Sequence, residues 1–243
     1  STSRRQRQMC IRDSIYDAEG YNYAKHVFNV KAEYITDYTD NSIKVVLSAI
    51  GDSPIYYTLD GSEPTEKSQQ YTDTLALKES CVLKAVTIRR NAKSAVLTEK
   101  IDFNKATAKP IFTQGASGAS VLTNGVRGSL KQTDFEWCSW SKSDCISFTL
   151  DLQKDENIHT FTLGSITVYG MAVHKPESIS VALSSDNVNF TEVGEKHFTP
   201  EEIFREGTYV EDLKFDLGTA KARYVRVTAR GVGKCPPDHV RPG

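Results

Sequence analysis

Trp137 and Trp140 stand three residues apart in a loop-like stretch, residues 134–143. A sugar ring presents an apolar C–H face, and an aromatic ring on a loop can stack against it; the competing use of the same two indoles is to fill a core. His174 follows Tyr169-Gly170-Met171 in a second loop-like stretch. Its ring nitrogens can donate or accept a hydrogen bond, although a lone histidine serves as readily as a surface or capping residue. Arg127, Arg230 and His239 fall in apparent loops or at strand ends, where they could bind a polar ligand or simply solvate the surface.

Hydrolytic and redox chemistry find no comparable constellation. Asp155-Glu156 is the one Asp-Glu pair; it sits in the polar run Gln153-Lys154-Asp155-Glu156-Asn157 and reads as a solvated turn. No G-x-S-x-G, P-loop or H-E-x-x-H is present. The five histidines are scattered without ligand spacing and no C-x-x-C occurs, so neither a catalytic residue nor a metal ligand is nominated. Of the five cysteines, Cys10 lies in the N-terminal tail and Cys81 in a strand interior, where it acts as a small apolar group. Cys138 and Cys145 flank a short loop and form either a disulfide, in an exported protein, or two free thiols. Closing so short a loop contributes at most ~2–3 kcal/mol. Cys235 precedes two prolines and has no obvious partner.

The elements that must position these residues are bounded by composition. A chain of 243 residues is one large domain or two small ones. Lys plus Arg total 30 against 31 Asp plus Glu, a net charge of −1, which argues against a strongly basic nucleic-acid binder and against an acidic solvating tail. Hydrophobic residues make up 39%, too many for a disordered chain. The apolar runs are only a few residues long, so no membrane span is expected. The richness in Thr, Val and Ile favours strands over helices.

Five regions follow. Residues 1–14, rich in Arg and without a period, are read as a disordered or non-native tail that resembles translated sequencing-adapter sequence. In residues 15–41, Tyr23, His26, Val27 and Val30 are spaced three and four apart, which predicts a short helix over 17–31, followed by a polar connector at 34–41. Residues 42–106 switch to a period of two: strands are expected at 43–47, 55–59, 81–89 and 97–103, with a turn at Asp60-Gly61. Residues 107–119, with Pro110 and a Gly/Ser/Ala-rich run, read as a flexible linker. In residues 120–243, apolar and polar residues alternate at 146–152, 161–169, 178–184, 213–217 and 223–230. Such alternation, with turns between, indicates an antiparallel sandwich or barrel. The stretch 236–243 reads as a loop where a further strand is expected, so the chain looks like part of a longer protein.

Ile55-Tyr56-Tyr57-Thr58-Leu59-Asp60-Gly61-Ser62-Glu63-Pro64-Thr65, followed by Ser68, Tyr71, Leu75 and Val82 to Val86, resembles the small β domain at the C-terminus of chitobiases and β-hexosaminidases. Tyr21 to Tyr34 looks like the segment that follows the catalytic barrel in such enzymes from Bacteroides-like bacteria. The second module resembles the discoidin, or coagulation-factor C, domain, which in carbohydrate-active enzymes is a family 32 carbohydrate-binding module. The resemblance rests on Leu122-Thr123-Asn124-Gly125, on Trp137 and Trp140, on Phe148 to Leu152, on Ser184-Ser185-Asp186-Asn187-Val188-Asn189-Phe190, and on Ala222-Arg223-Tyr224-Val225-Arg226-Val227.

The resemblance implies an all-β chain: a small β-sandwich, then a discoidin-like jelly roll lacking its last strand, with a short N-terminal helix. It implies that Trp140 is buried, that Trp137 stacks on sugar, and that His174 lies where the family places polar sugar contacts; with Arg230 and His239 these form the expected carbohydrate site. Family members usually carry Asp where this chain has Asn124, and an acidic residue in the missing strand. Both lie near the family's structural calcium, so no cofactor is expected here. The implied role is a non-catalytic accessory region of a bacterial β-N-acetylhexosaminidase of glycoside hydrolase family 20, in the periplasm, at the cell surface or secreted. Its partners would be the upstream catalytic domain and glycans ending in N-acetylglucosamine or galactose-type sugars. The alternative is a structural spacer or adhesin-type module without a glycan site.

Overall fold

The computed structural model describes residues 28–50, 53–89, 92–114, 116–133, 136–140 and 145–241, with the backbone alone at Ser117 and Trp140. Expectations for residues 1–14, for residues 17–27 of the helix expected over 17–31 and for the Trp140 side chain therefore lie outside the described residues; the end of that helix is corrected, since Lys31 already begins a strand. The chain divides into two units. One holds Ile43–Asp102 with the residues up to Ile35; the other holds Thr36–Ser42 and Phe103–Gly243.

The first unit is built from β1 (Lys31–Asp37), β2 (Ser42–Ser48), β3 (Ile55–Thr58), β4 (Gln69–Gln70), β5 (Leu75–Leu77), β6 (Cys81–Arg89), β7 (Ala92–Lys93) and β8 (Leu97–Ile101). One sheet runs β1-β2-β5; a second runs β4-β3-β6-β7, with β8 also on β6. Alternation explains the packing: Ile43, Val45 and Leu47 of β2 face inward, as do Leu83 and Ala85 of β6, and Ile43, Val45, Leu83 and Ile101 are fully buried. The Asp60-Gly61 turn forms as its residues require. Gly61 adopts φ +79° while its N–H donates to Val82 O at 3.0 Å. Asp60 Oδ1 accepts from the N–H and hydroxyl of Ser62 at 2.9 and 2.6 Å. The first half of the polar connector expected at 34–41 is instead the end of β1, in which exposed and half-buried residues alternate up to Thr36. Its side chains are polar because one face is wet, and only Tyr38–Asn41 turns.

The second unit has one five-stranded sheet, ordered β14-β13-β15-β12-β9, and a two-residue ladder of β10 with β11. Its strands are β9 (Ile111–Thr113), β10 (Ala116–Ser117), β11 (Ser139–Trp140), β12 (Cys145–Val168), β13 (Ser178–Ser184), β14 (Thr191–His197) and β15 (Thr208–Arg230), with a one-turn helix α1 (Pro200–Ile203). Strands of 24 and 23 residues are too long to stay flat. β12 and β15 pair antiparallel from Cys145↔Arg230 to Val168↔Thr208, and the register slips between Asp151 and Glu156 and again between Ile158 and Thr160. Bulges bend a strand and sharpen its twist. The two halves of each ribbon thereby enclose one core, with Phe148, Leu150 and Leu152 from one half and Leu213, Phe215 and Leu217 from the other. The sandwich expected for this region is present, and the chain is nearly all β. The run 153–157 is a bend inside β12 rather than a free turn: Gln153 takes φ +68° and Glu156 pairs with Ala222. The stretch read as a linker contributes β9, which pairs with Phe148–Leu150.

Candidate functional site

Loops leave both ends of the long β12–β15 pairing. Val168 pairs with Thr208, and Arg230 lies between Cys145 and Ser178. The segments leaving those residues are tied together: Tyr169 N–H donates to Gly207 O at 3.0 Å, Glu177 N–H to Arg230 O at 2.8 Å, and Phe198 N–H to Glu177 O at 2.9 Å. α1 sits in this region, started by a capping box in which Thr199 Oγ1 accepts from Glu202 N–H and Glu202 Oε2 accepts from Thr199 N–H.

Two of the nominated residues, 65 positions apart, meet here. His174 Nε2 and His239 Nε2 are 3.2 Å apart. His174 Nδ1 lies 3.2 Å from Ile203 O, a carbonyl of α1. Arg241 N–H donates to His239 Nδ1 at 2.9 Å. A carbonyl oxygen can only accept, so His174 carries a proton on Nδ1, donated to Ile203 O. His239 Nδ1 lies against both the N–H and the carbonyl of Arg241, at 2.9 and 3.2 Å. Rings enclose the pair: Tyr169 lies 4.2 Å from the His239 ring centre and Phe204 5.0 Å from that of His174. Burial, then the neighbouring His239, pushes the His174 pKa down. Cys235 approaches the same point: ligand atoms of His174, Cys235 and His239 all lie within 4.8 Å of one another. Nothing in the sequence pairs Cys235 with His174, because two separate loops deliver them.

Trp137 and Arg230 are not joined to this pair by any recorded contact among the described residues. The Trp137 ring is half-buried; its indole N–H donates to Ser129 O at 2.9 Å. It lies so close over Gly128 that a Cβ there would fall 2.4 Å from Cε2. Arg230 is exposed at the end of β15. Arg127 is paired with Asp212. The Cys138 side chain is half-buried and that of Cys145 exposed. Burial pushes the Cys138 thiol up to about 11. A feature missed from sequence is Lys175: it is 5% exposed, its Nζ pairs with Glu211 Oε2 at 2.6 Å, and it lies over the Phe198 ring.

The second unit is a bent antiparallel sandwich. Residues 105–236 match the family model of the F5/8 type C domain, and the chain belongs to that family. Residues 45–101 match the family model named Fn3 associated. Among solved structures the chain is similar to CpGH89CBM32-6 produced by Clostridium perfringens, at 18% identity over 38% of this chain and 64% of that one, TM-score 0.26. It is also similar to the C-terminal domain of a Bacteroides fragilis chitobiase, at 17% identity over 54% and 88%, TM-score 0.33. A third is a Streptococcus pneumoniae fucose-binding module, at 20% identity over 52% and 84%, TM-score 0.38. The chain thus spans about two thirds of the first of these structures. No curated protein matches the sequence.

The calcium associated with this family does not fit the residues around Asn124. Asn124 is buried and its Oδ1 accepts from Val126 N–H at 2.9 Å. The described residues gather no group of three acidic side chains there, whereas the metal-competent cluster that does form is His174, Cys235 and His239. A hard dication takes roughly six to eight oxygens, from carboxylates together with carbonyls and waters.

Proposed function

We propose that the second unit is a non-catalytic glycan-binding module whose site is the loop end of the roll. The observation that supports this reading is the meeting of His174 with His239, from two separate loops, in a chain of the F5/8 type C family. Arg230 offers an exposed guanidinium, a planar fork suited to vicinal hydroxyls. Trp137 offers a ring held in place by Ser129 and Gly128. The nitrogens of His174 and His239 are already taken, so these two organise the loops behind the sugar-facing residues. The parent is read as a β-N-acetylhexosaminidase of glycoside hydrolase family 20, outside the cytoplasm, with the catalytic barrel upstream. Tethering such an enzyme to terminal N-acetylglucosamine or galactose-type sugars raises the effective substrate concentration.

Titration calorimetry of the chain with N-acetylglucosamine, galactose and N-acetylgalactosamine tests this. A monosaccharide has few atoms, so a Kd on the order of 1 mM is expected. Arg230→Ala is expected to weaken it by about tenfold, the worth of one charge-assisted hydrogen bond. No heat with any of the three sugars, or full affinity in both Arg230→Ala and Trp137→Ala, would leave the spacer reading instead.

A further inference from the structure

We infer that His174, Cys235 and His239 form a zinc site that fastens the segment after β15 to the loop after β12. The inference does not depend on the glycan reading. Three features carry it. The first is the ligand set: two imidazoles and a thiol, converging within 4.8 Å, are borderline-soft donors of the kind zinc takes. Three protein ligands leave the fourth tetrahedral position to water.

The second is the spacing of the nitrogens. Tetrahedral zinc with bonds of about 2.0–2.1 Å holds its nitrogens roughly 3.3 Å apart. His174 Nε2 and His239 Nε2 are already 3.2 Å apart, so the imidazole edge of the tetrahedron is preformed. Cys235 precedes His239 by four positions, leaving three residues between them, so both can reach one ion from a single short segment.

The third is the surrounding shell. His174 donates its Nδ1 proton to Ile203 O, the arrangement that fixes a ligating imidazole with Nε2 directed at metal. His239 Nδ1 lies 3.2 Å from Arg241 O, a backbone partner for the ring when Nε2 is turned to metal. The Cys235 thiol gives up its proton to become the thiolate ligand. Tyr169 and Phe204 pack against the two imidazoles and limit water around them.

The test uses the full chain, reduced and stripped of metal. Zinc chloride titrated against a chromophoric chelator is expected to show one tight equivalent, weakened at least about 100-fold in Cys235→Ser and in His239→Gln. It should be unchanged in Cys145→Ser and Cys10→Ser. Cobalt substitution is expected to give a thiolate-to-metal charge-transfer band that Cys235→Ser alone removes. X-ray absorption at the zinc edge needs no variant and should show two imidazoles and one sulfur. No stoichiometric binding, a charge-transfer band that survives Cys235→Ser, or an oxygen-only shell around zinc overturns the inference.

Discussion

The residue whose role changes most on structural grounds is Trp137. Alone in sequence it is a candidate stacking ring; in the fold it is also the lid over a glycine. Gly128 has no side chain, and the indole takes the space: an added Cβ would lie 2.4, 2.7 and 2.8 Å from three ring atoms. Those atoms belong to a rigid ring anchored through its N–H to Ser129 O, so the ring must move as a body. Gly128→Ala is therefore expected to expel the indole, shift tryptophan emission to the red and cost about 1 kcal/mol for the lost hydrogen bond. If Trp137 stacks on sugar, affinity falls with the emission shift, because the ring is no longer presented. Emission that stays fixed would show that the ring is not seated on Gly128.

At the scale of elements, the bend of β12 is where the sandwich is made. Asp151 is largely buried there, and Arg223 of β15 grips it through Nε at 2.8 Å and Nη2 at 2.9 Å. Gln153 N–H adds a third hydrogen bond at 2.7 Å from a left-handed backbone position. The guanidinium, then Gln153 N–H, hold the Asp151 carboxyl below the usual carboxylate range, against the opposing effect of burial. A folded pKa below the unfolded one means stability that is fully present above the unfolded value, ~4, and lost as pH falls through the lower folded value. Asp151→Asn is expected to cost about 1–3 kcal/mol at neutral pH. It should also flatten the loss of stability below pH ~4, read as urea midpoints against pH. An unchanged acid slope would remove this pair from the bend.

The same bend marks where legibility ended. The alternating runs 146–152, 178–184 and 213–217 carry their strand and their inward face in the residue types alone, and Leu150, Val181 and Phe215 are buried as the pattern requires. The Ser184-Ser185-Asp186-Asn187 turn is equally local: Asp186 accepts from Val188 N–H and Asn189 N–H at 2.9 and 2.8 Å. The continuity of β12 through Gln153–Glu156 is not local, since polar residues there read as a turn until β15 supplies Arg223 and Ala222 as partners. β1 escaped notice because its alternation is weak, Ala32, Tyr34 and Thr36 being half-buried and Lys31, Glu33 and Ile35 exposed. The meeting of His174 with His239 and Cys235 depends on two loops that no period describes, so the residues could be nominated while their association could not.

Across the whole molecule, charge decides between classes of ligand. The net charge is −1, and several cations are neutralised within the fold: Lys175 by Glu211, Arg223 by Asp151, Lys105 by Glu156 and Arg127 by Asp212. A ligand at the loop end therefore meets Arg230 as a hydrogen-bonding fork and not as one member of a basic field. Hydrogen bonding to neutral hydroxyls is a short-range interaction that mobile ions scarcely screen, whereas attachment to a phosphate- or sulfate-bearing polymer proceeds by releasing counterions. Affinity for a neutral sugar is accordingly expected to change by less than about twofold when sodium chloride is raised from roughly 50 to 500 mM. A loss of about tenfold or more over the same range would mean that the site recognises anions. Arg230 would then be acting as a charge, and the neutral terminal sugars would give way to an acidic glycan as the ligand.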